Sequence, residues 1–96
     1  MYGTVARMRI KPGNEQELLK FAESAADAVP GVVSQTLYRL DNASNEYILV
    51  VGFEDRESYV ANANSPEQHQ RYLGYRELLE SDPEWNDGEV IYSYPS

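Results

Sequence analysis

The sequence has no cysteine, a single histidine and no run of basic residues. Each absence closes off a class of chemistry. Without cysteine there is no disulfide, no thiolate nucleophile and no zinc–thiolate site. His69 alone cannot build a multi-histidine metal centre within one chain, so no metal is expected. Eight Lys and Arg stand against sixteen Asp and Glu, a net charge of −8. The basic patch needed to hold nucleic acid or an anionic membrane surface is therefore missing. No apolar run approaches the roughly 18 residues of a membrane span, and no signal-peptide core is present. The expectation is a soluble cytoplasmic protein. Phenylalanine (two) and tryptophan (one) are scarce, whereas tyrosine is abundant (eight). Half-buried strand and interface tyrosines would account for this, and so would a cavity lined with rings and hydroxyls.

At 96 residues the chain has room for one core, so residues 1–96 are expected to form a single domain. A domain of this size buries only about 60–65% of its unfolded surface. Apolar surface left over favours self-association.

Hydropathy periodicity predicts the elements. Residues 2–10 alternate as a strand, with Tyr2, Thr4, Ala6, Met8 and Ile10 on one face. Lys11-Pro12-Gly13 breaks it. Asn14 and Glu17 are placed as a capping box for a helix whose stripe is Leu18, Ala22, Ala25 and Val29, flanked by Leu19, Phe21 and Ala26. Pro30-Gly31 ends that helix. Residues 32–40 and 46–53 read as a hairpin around the turn-forming Asp41-Asn42-Ala43-Ser44-Asn45. The second of these strands is apolar on both faces, which demands cover on both sides. Asp55 can cap a short helix over roughly 56–63. Ser65 as N-cap, Pro66 at the first helical position and Gln68 completing a capping box predict a longer helix running to about Ser81. Asp82-Pro83 ends it, Asp87-Gly88 reads as a turn, and residues 89–94 read as the last strand.

The order strand, helix, strand, strand, helix, strand is the ferredoxin-like α+β pattern, βαββαβ around a four-stranded antiparallel sheet. Two helices can cover only one face of that sheet. A second copy of the same sheet fits the other face, so a homodimer packed through sheet faces is expected.

The last helix carries the candidate chemistry. Glu67, Gln70, Gly74, Glu77 and Ser81 fall on the solvent side, counting about 100° per residue. Gln68, His69, Tyr72, Tyr75, Arg76 and Leu79 fall opposite, a polar stripe where an apolar one is usual. Buried His, Arg and Gln need partners. Either these groups satisfy one another and nearby carboxylates, or they line a solvent-reachable cavity between helix and sheet. His69, with an ordinary imidazole pKa near 6.5, is suited to proton transfer at neutral pH. Arg76 could meet an anion or a developing oxyanion, or pair with one of the many carboxylates. Asn62, in the break between the helices, could turn its amide to the same cavity.

Several pieces together carry a family resemblance: the opening strand with Lys11-Pro12-Gly13 and EQELL; Pro30-Gly31-Val32; Tyr38-Arg39; EYILVVGFED at 46–55; Tyr59; and SPEQH at 65–69. In their order and spacing, over nearly the whole chain, the sequence resembles the antibiotic biosynthesis monooxygenase family of dimeric α+β barrels. The resemblance implies a pocket between the sheet and the helices of each subunit. It further implies a cofactor-independent monooxygenase that oxidises a small aromatic phenol, quinol or polyketide-like substrate with O₂. On that reading His69, Arg76 and Asn62 are the catalytic candidates, and Tyr38, Tyr72 and Phe53 the substrate-binding ones. The haem-degrading relatives carry Trp and His where this chain has Asn62 and Tyr72, so haem degradation is not expected. A tryptophan associated with the pocket of the polyketide oxygenases has no counterpart here. The alternative reading is a homodimeric binder of a small aromatic ligand without catalysis.

Overall fold

The computed structural model describes residues 1–41 and 45–94, with Ala26 and Asp27 described by their backbone alone. The elements run β1 (Tyr2–Arg9), α1 (Glu15–Ala28), β2 (Val32–Arg39), β3 (Glu46–Phe53), α2 (Arg56–Ala63), α3 (Pro66–Arg76) and β4 (Glu84–Glu89). The strands make one antiparallel sheet in the order β2-β3-β1-β4. This is the ferredoxin-like arrangement that the pattern predicts, with α2 and α3 sharing the second helical position.

The alternation of β1 sets the layers. Ala6, Met8 and Ile10 are buried against Leu18 of α1, Tyr47 of β3 and Leu79 in one core cluster. Tyr47, Leu49, Val51 and Phe53 of β3 share that helix-facing side, leaving Ile48 and Val50 on the other. There Val5 is 42% exposed and Tyr38 54% exposed, so the second face of the sheet is open. Of the expected turn between β2 and β3, residues 42–44 lie outside the described residues.

The helix starts follow the sequence at two of three places. The Asp55 side chain accepts from the Ser58 amide (2.7 Å), and the Ser65 hydroxyl accepts from the Gln68 amide (3.1 Å) ahead of Pro66. Asn14 stands at the N-cap of α1 but makes no side-chain cap bond, so the box with Glu17 does not form. Glu15 anchors that end instead, accepting from the Tyr47 hydroxyl (2.7 Å) and from Arg39 Nε (2.8 Å). Gly31 has φ +86°, and a Cβ there would lie 2.6 Å from the Ser58 Cβ. Only glycine combines that conformation with so close a neighbour.

Two boundaries differ from the expectation, for linked reasons. α3 stops at Arg76 rather than near Ser81, because Leu79 leaves the helix to bridge Ile10. The Lys11 amide donates to the Leu78 carbonyl, and the Glu80 amide donates to the Arg9 carbonyl. Leu79 is thereby fully buried. The early stop brings Glu84 opposite Arg7, and the free edge of β1 then pairs with residues 84–89. The last strand is therefore Glu84–Glu89, not 89–94, and Asp87-Gly88 lies inside it rather than forming a turn. Strand pairing overrides the weak β propensity of EWNDGE. The Val90 amide still reaches the Met1 carbonyl (2.8 Å), and the chain then leaves the sheet with Ile91, Tyr92 and Tyr94 exposed. No helix of the described residues is long and apolar enough to cross a membrane.

Candidate functional site

Between the sheet and the helices lies an open cavity of about 480 Å³. A narrower lobe of about 100 Å³ adjoins it, sharing Gln35, Leu49, Gln68, Tyr72 and Trp85 as walls. The floor follows from strand register. Gln35, Val51, Thr4 and Asp87 form one row across the four strands, and Leu37, Leu49, Ala6 and Trp85 form the next. Because alternate residues point to one side of a sheet, both rows face the helices. Helix α2 contributes Tyr59 and Asn62, one turn apart on the same side. Helix α3 contributes Gln68, His69 and Tyr72.

The cavity brings together four of the six residues expected at a site: Asn62, His69, Tyr72 and Phe53. The His69 side chain is exposed at the mouth and makes no hydrogen bond to the described residues. Tyr72 offers its ring as wall, while its hydroxyl turns towards Asp82 Oδ1 (3.4 Å). Partial burial and the Asp82 carboxylate push that phenol above its ordinary pKa. Phe53 is buried, edge-on to Tyr59 at 5.3 Å.

Arg76 and Tyr38 do not meet the others. Arg76 is held outside the cavity, donating to Asp82 Oδ1 (2.7 Å) and to the Leu79 carbonyl (2.9 Å). This is the carboxylate partnership left open by the sequence, set up where α3 ends. Tyr38 pairs with Ile48 in the β2–β3 register and so lies on the open face of the sheet, away from the helices. On the expected solvent side of α3, Gly74 instead packs on Phe21.

The structure adds residues to the expected set. Arg71, not Arg76, is the cation beside the cavity, in the wall of its narrower lobe. It donates to Asn62 Oδ1 (3.2 Å) and Gln68 Oε1 (3.3 Å), and Asn62 Nδ2 donates to Gln68 Oε1 (3.2 Å). This triangle fixes the Asn62 amide and diverts the Gln68 side chain from the capping box. The signal was available, since Arg71 is three residues after Gln68 and four before Tyr75, on the same helical side. Trp85 also lines the cavity; it comes from β4, a strand that the sequence pattern places later in the chain. Thr4 was visible as the polar member of an apolar stripe. Its hydroxyl oxygen is buried and makes no hydrogen bond to the described residues.

Tyr59 donates to Asp87 Oδ1 at 2.7 Å. Burial, and then the Asp87 carboxylate, push its phenol well above the ordinary range, so it remains a protonated donor. Among the described residues, no group of three or more His, Cys, Asp or Glu side chains is placed to hold a metal ion.

The family model for antibiotic biosynthesis monooxygenases matches residues 1–72. No curated protein matches the sequence. Among solved structures, SnoaB, a cofactor-independent oxygenase from Streptomyces nogalater, superposes with a TM-score of 0.79 at 18% identity, over 99% of this chain and 97% of its own. A conserved protein from Methanosarcina mazei Go1 gives 0.77 at 18% identity, over 91% and 89%. Rv0793 from Mycobacterium tuberculosis gives 0.74 at 18% identity, over 97% of each chain. At such identities the superpositions speak for the fold, and the match over residues 1–72 for the ancestry: the chain belongs to the antibiotic biosynthesis monooxygenase family.

Proposed function

We propose that this protein is a cofactor-independent monooxygenase of a small aromatic phenol or quinol, acting as a homodimer closed through its open sheet faces. The observation that carries the reading is the cavity of about 480 Å³ with aromatic and aliphatic walls and a few fixed polar groups. Its size falls within the range of about 300–1,000 Å³ usual for small-molecule sites. The likeness to SnoaB, described as a cofactor-independent oxygenase, supports the chemistry. The family is generally dimeric, which supports the assembly.

In this reading a ring lies between Trp85, Phe53 and Tyr72. His69 takes the phenolic proton, breaking the O–H bond and leaving the electron pair on the ring. The Asn62 amide, held by Arg71 and Gln68, donates to the resulting oxyanion. The anion passes one electron to O₂, and the radical and superoxide combine in a C–O bond. Loss of water from the protonated peroxide leaves one oxygen on the ring as a quinone carbonyl. The chain's part is to bind the ring, hold the anion and limit water.

Oxygen uptake with a panel of anthrones and hydroquinones tests this, wild type beside His69→Ala. The expected result is uptake above the autoxidation blank that falls by about 10²- to 10⁴-fold in the variant. Binding without uptake would instead leave a ligand-binding protein.

A further inference from the structure

The Thr4, Tyr59 and Asp87 cluster has no part in the chemistry above, although all three residues line the cavity. Thr4 and Asp87 are direct partners across β1 and β4. The Tyr59 hydroxyl bridges from α2 to the carboxylate at 2.7 Å. Its ring is clamped by Tyr2 at 5.2 Å and Phe53 at 5.3 Å, so the phenol oxygen has little freedom to move. Thr4 is 5% exposed, and its oxygen makes no hydrogen bond to the described residues. A buried hydroxyl left without a partner is costly, and a ligand group that supplied the partner would recover that loss.

We infer that the Tyr59–Asp87 pair of this cluster is a hydrogen-bond-accepting wall that selects ligands carrying a ring hydroxyl over those carrying a carbonyl or ether there. The argument is one of proton inventory. A phenol has one proton, and that of Tyr59 is committed to Asp87. What Tyr59 presents to the cavity is its lone pair. The carboxylate is likewise acceptor-only. A ligand O–H satisfies these two acceptors and a quinone carbonyl cannot, whereas the Thr4 hydroxyl, which can donate as well as accept, serves either ligand. Burial keeps Tyr59 protonated and so keeps this polarity fixed. The inference deepens the proposed function and rests on its placing an aromatic ring in this cavity. The oxygenation proposed above turns a phenol into a quinone, with water as the other product, and so removes the very donor that the wall binds; the cavity would hold the substrate and release the product.

Calorimetric titration with 1-naphthol and 1-methoxynaphthalene tests the wall without any redox step. The wild type should bind the naphthol more tightly, on the order of tenfold to a hundredfold. Asp87→Asn should narrow that gap, because the amide replaces an acceptor-only oxygen by an N–H that can meet a ligand carbonyl or ether. Thr4→Val should leave the gap in place, since its hydroxyl serves either ligand, while the ligand-free variant melts no lower than wild type, since an unpartnered hydroxyl has been removed. Asp87 is exposed and Thr4→Val is nearly isosteric, so both variants should fold. Equal affinities in the wild type, or a gap unchanged in Asp87→Asn, would overturn the inference and leave the cavity standing as an aromatic site. Binding of neither compound would overturn this inference and the proposed function together.

Discussion

Leu79 shows how much one side chain holds in a domain this small. It is fully buried, it ends α3, and it ties the following segment to Ile10. Leu79→Ala should lower stability by about 2–5 kcal/mol, read as a fall in the urea midpoint. Ser65→Ala removes the acceptor for the Gln68 amide and should lower it by about 0.5–2 kcal/mol. Charged residues set the acid limit. The Glu46 carboxylate accepts from Arg9 (2.8 Å) and Arg7 (2.9 Å) and is held below its usual range, first by Arg9. Asp82 is held low by Arg76, and Glu15 first by the Tyr47 hydroxyl. A carboxylate lowered by folding stabilises the protein above its unfolded pKa, about 4. That contribution is lost as pH falls through the lower folded value. The melting temperature should therefore hold down to about pH 4–5 and fall below it. In Glu46→Gln the acid fall should be shallower, measured by thermal melts from neutral pH to pH 3.

Among the elements, those written by periodicity were legible and those decided by tertiary pairing were not. The bounds of β3 and α2 follow from the apolar block EYILVVGF and from the Asp55 cap. The inward set of α3 follows from its spacing, which places Gln68, His69 and Tyr72 at the cavity. The spacing does not show that Leu79 would leave the helix for Ile10, so Arg76 falls beside Asp82 instead of the cavity. Nor does EWNDGE look like a strand, since Asp, Asn and Gly are poor strand formers. It becomes β4 only because β1 offers it an edge, and Trp85 and Asp87 reach the cavity by that route. Tyr38 lies away from the cavity for a simpler reason: sequence alternation says which residues share a face, but not which face the helices cover. The placement of β4 has a direct test. A chain ending at Val90 keeps every strand and the Val90–Met1 hydrogen bond, so its far-UV circular dichroism should match that of the full chain. Loss of the native spectrum would mean that residues 91–94 are part of the folded sheet.

At the scale of the whole molecule, the open sheet face and the charge of −8 act in opposite directions. Val5 and Val50 are neighbours across the two central strands, and Tyr38 and Ile48 extend the apolar strip towards β2. Covering such a strip removes apolar surface from water, worth about 25 cal/mol per Å² before the costs of association. Arg7 and Arg9, both bound to Glu46 on this same face, set two cations against one carboxylate, so the patch does not share the acidic excess of the chain. Net repulsion between two acidic chains therefore acts mainly through their outer surfaces and is screened by salt. Two consequences separate the sheet-face dimer from a monomer. The mass in sedimentation equilibrium should correspond to two chains and should persist, or strengthen, as salt is raised. Val5→Asp puts an unpaired carboxylate into the centre of the proposed contact, where it has no partner once the faces close. Because Val5 is already 42% exposed in the single chain, the substitution should leave the subunit folded and shift the mass to that of one chain. A dimer mass retained in Val5→Asp would move the contact to another surface, and the exposed Ile91, Tyr92 and Tyr94 beyond β4 would be the first place to look.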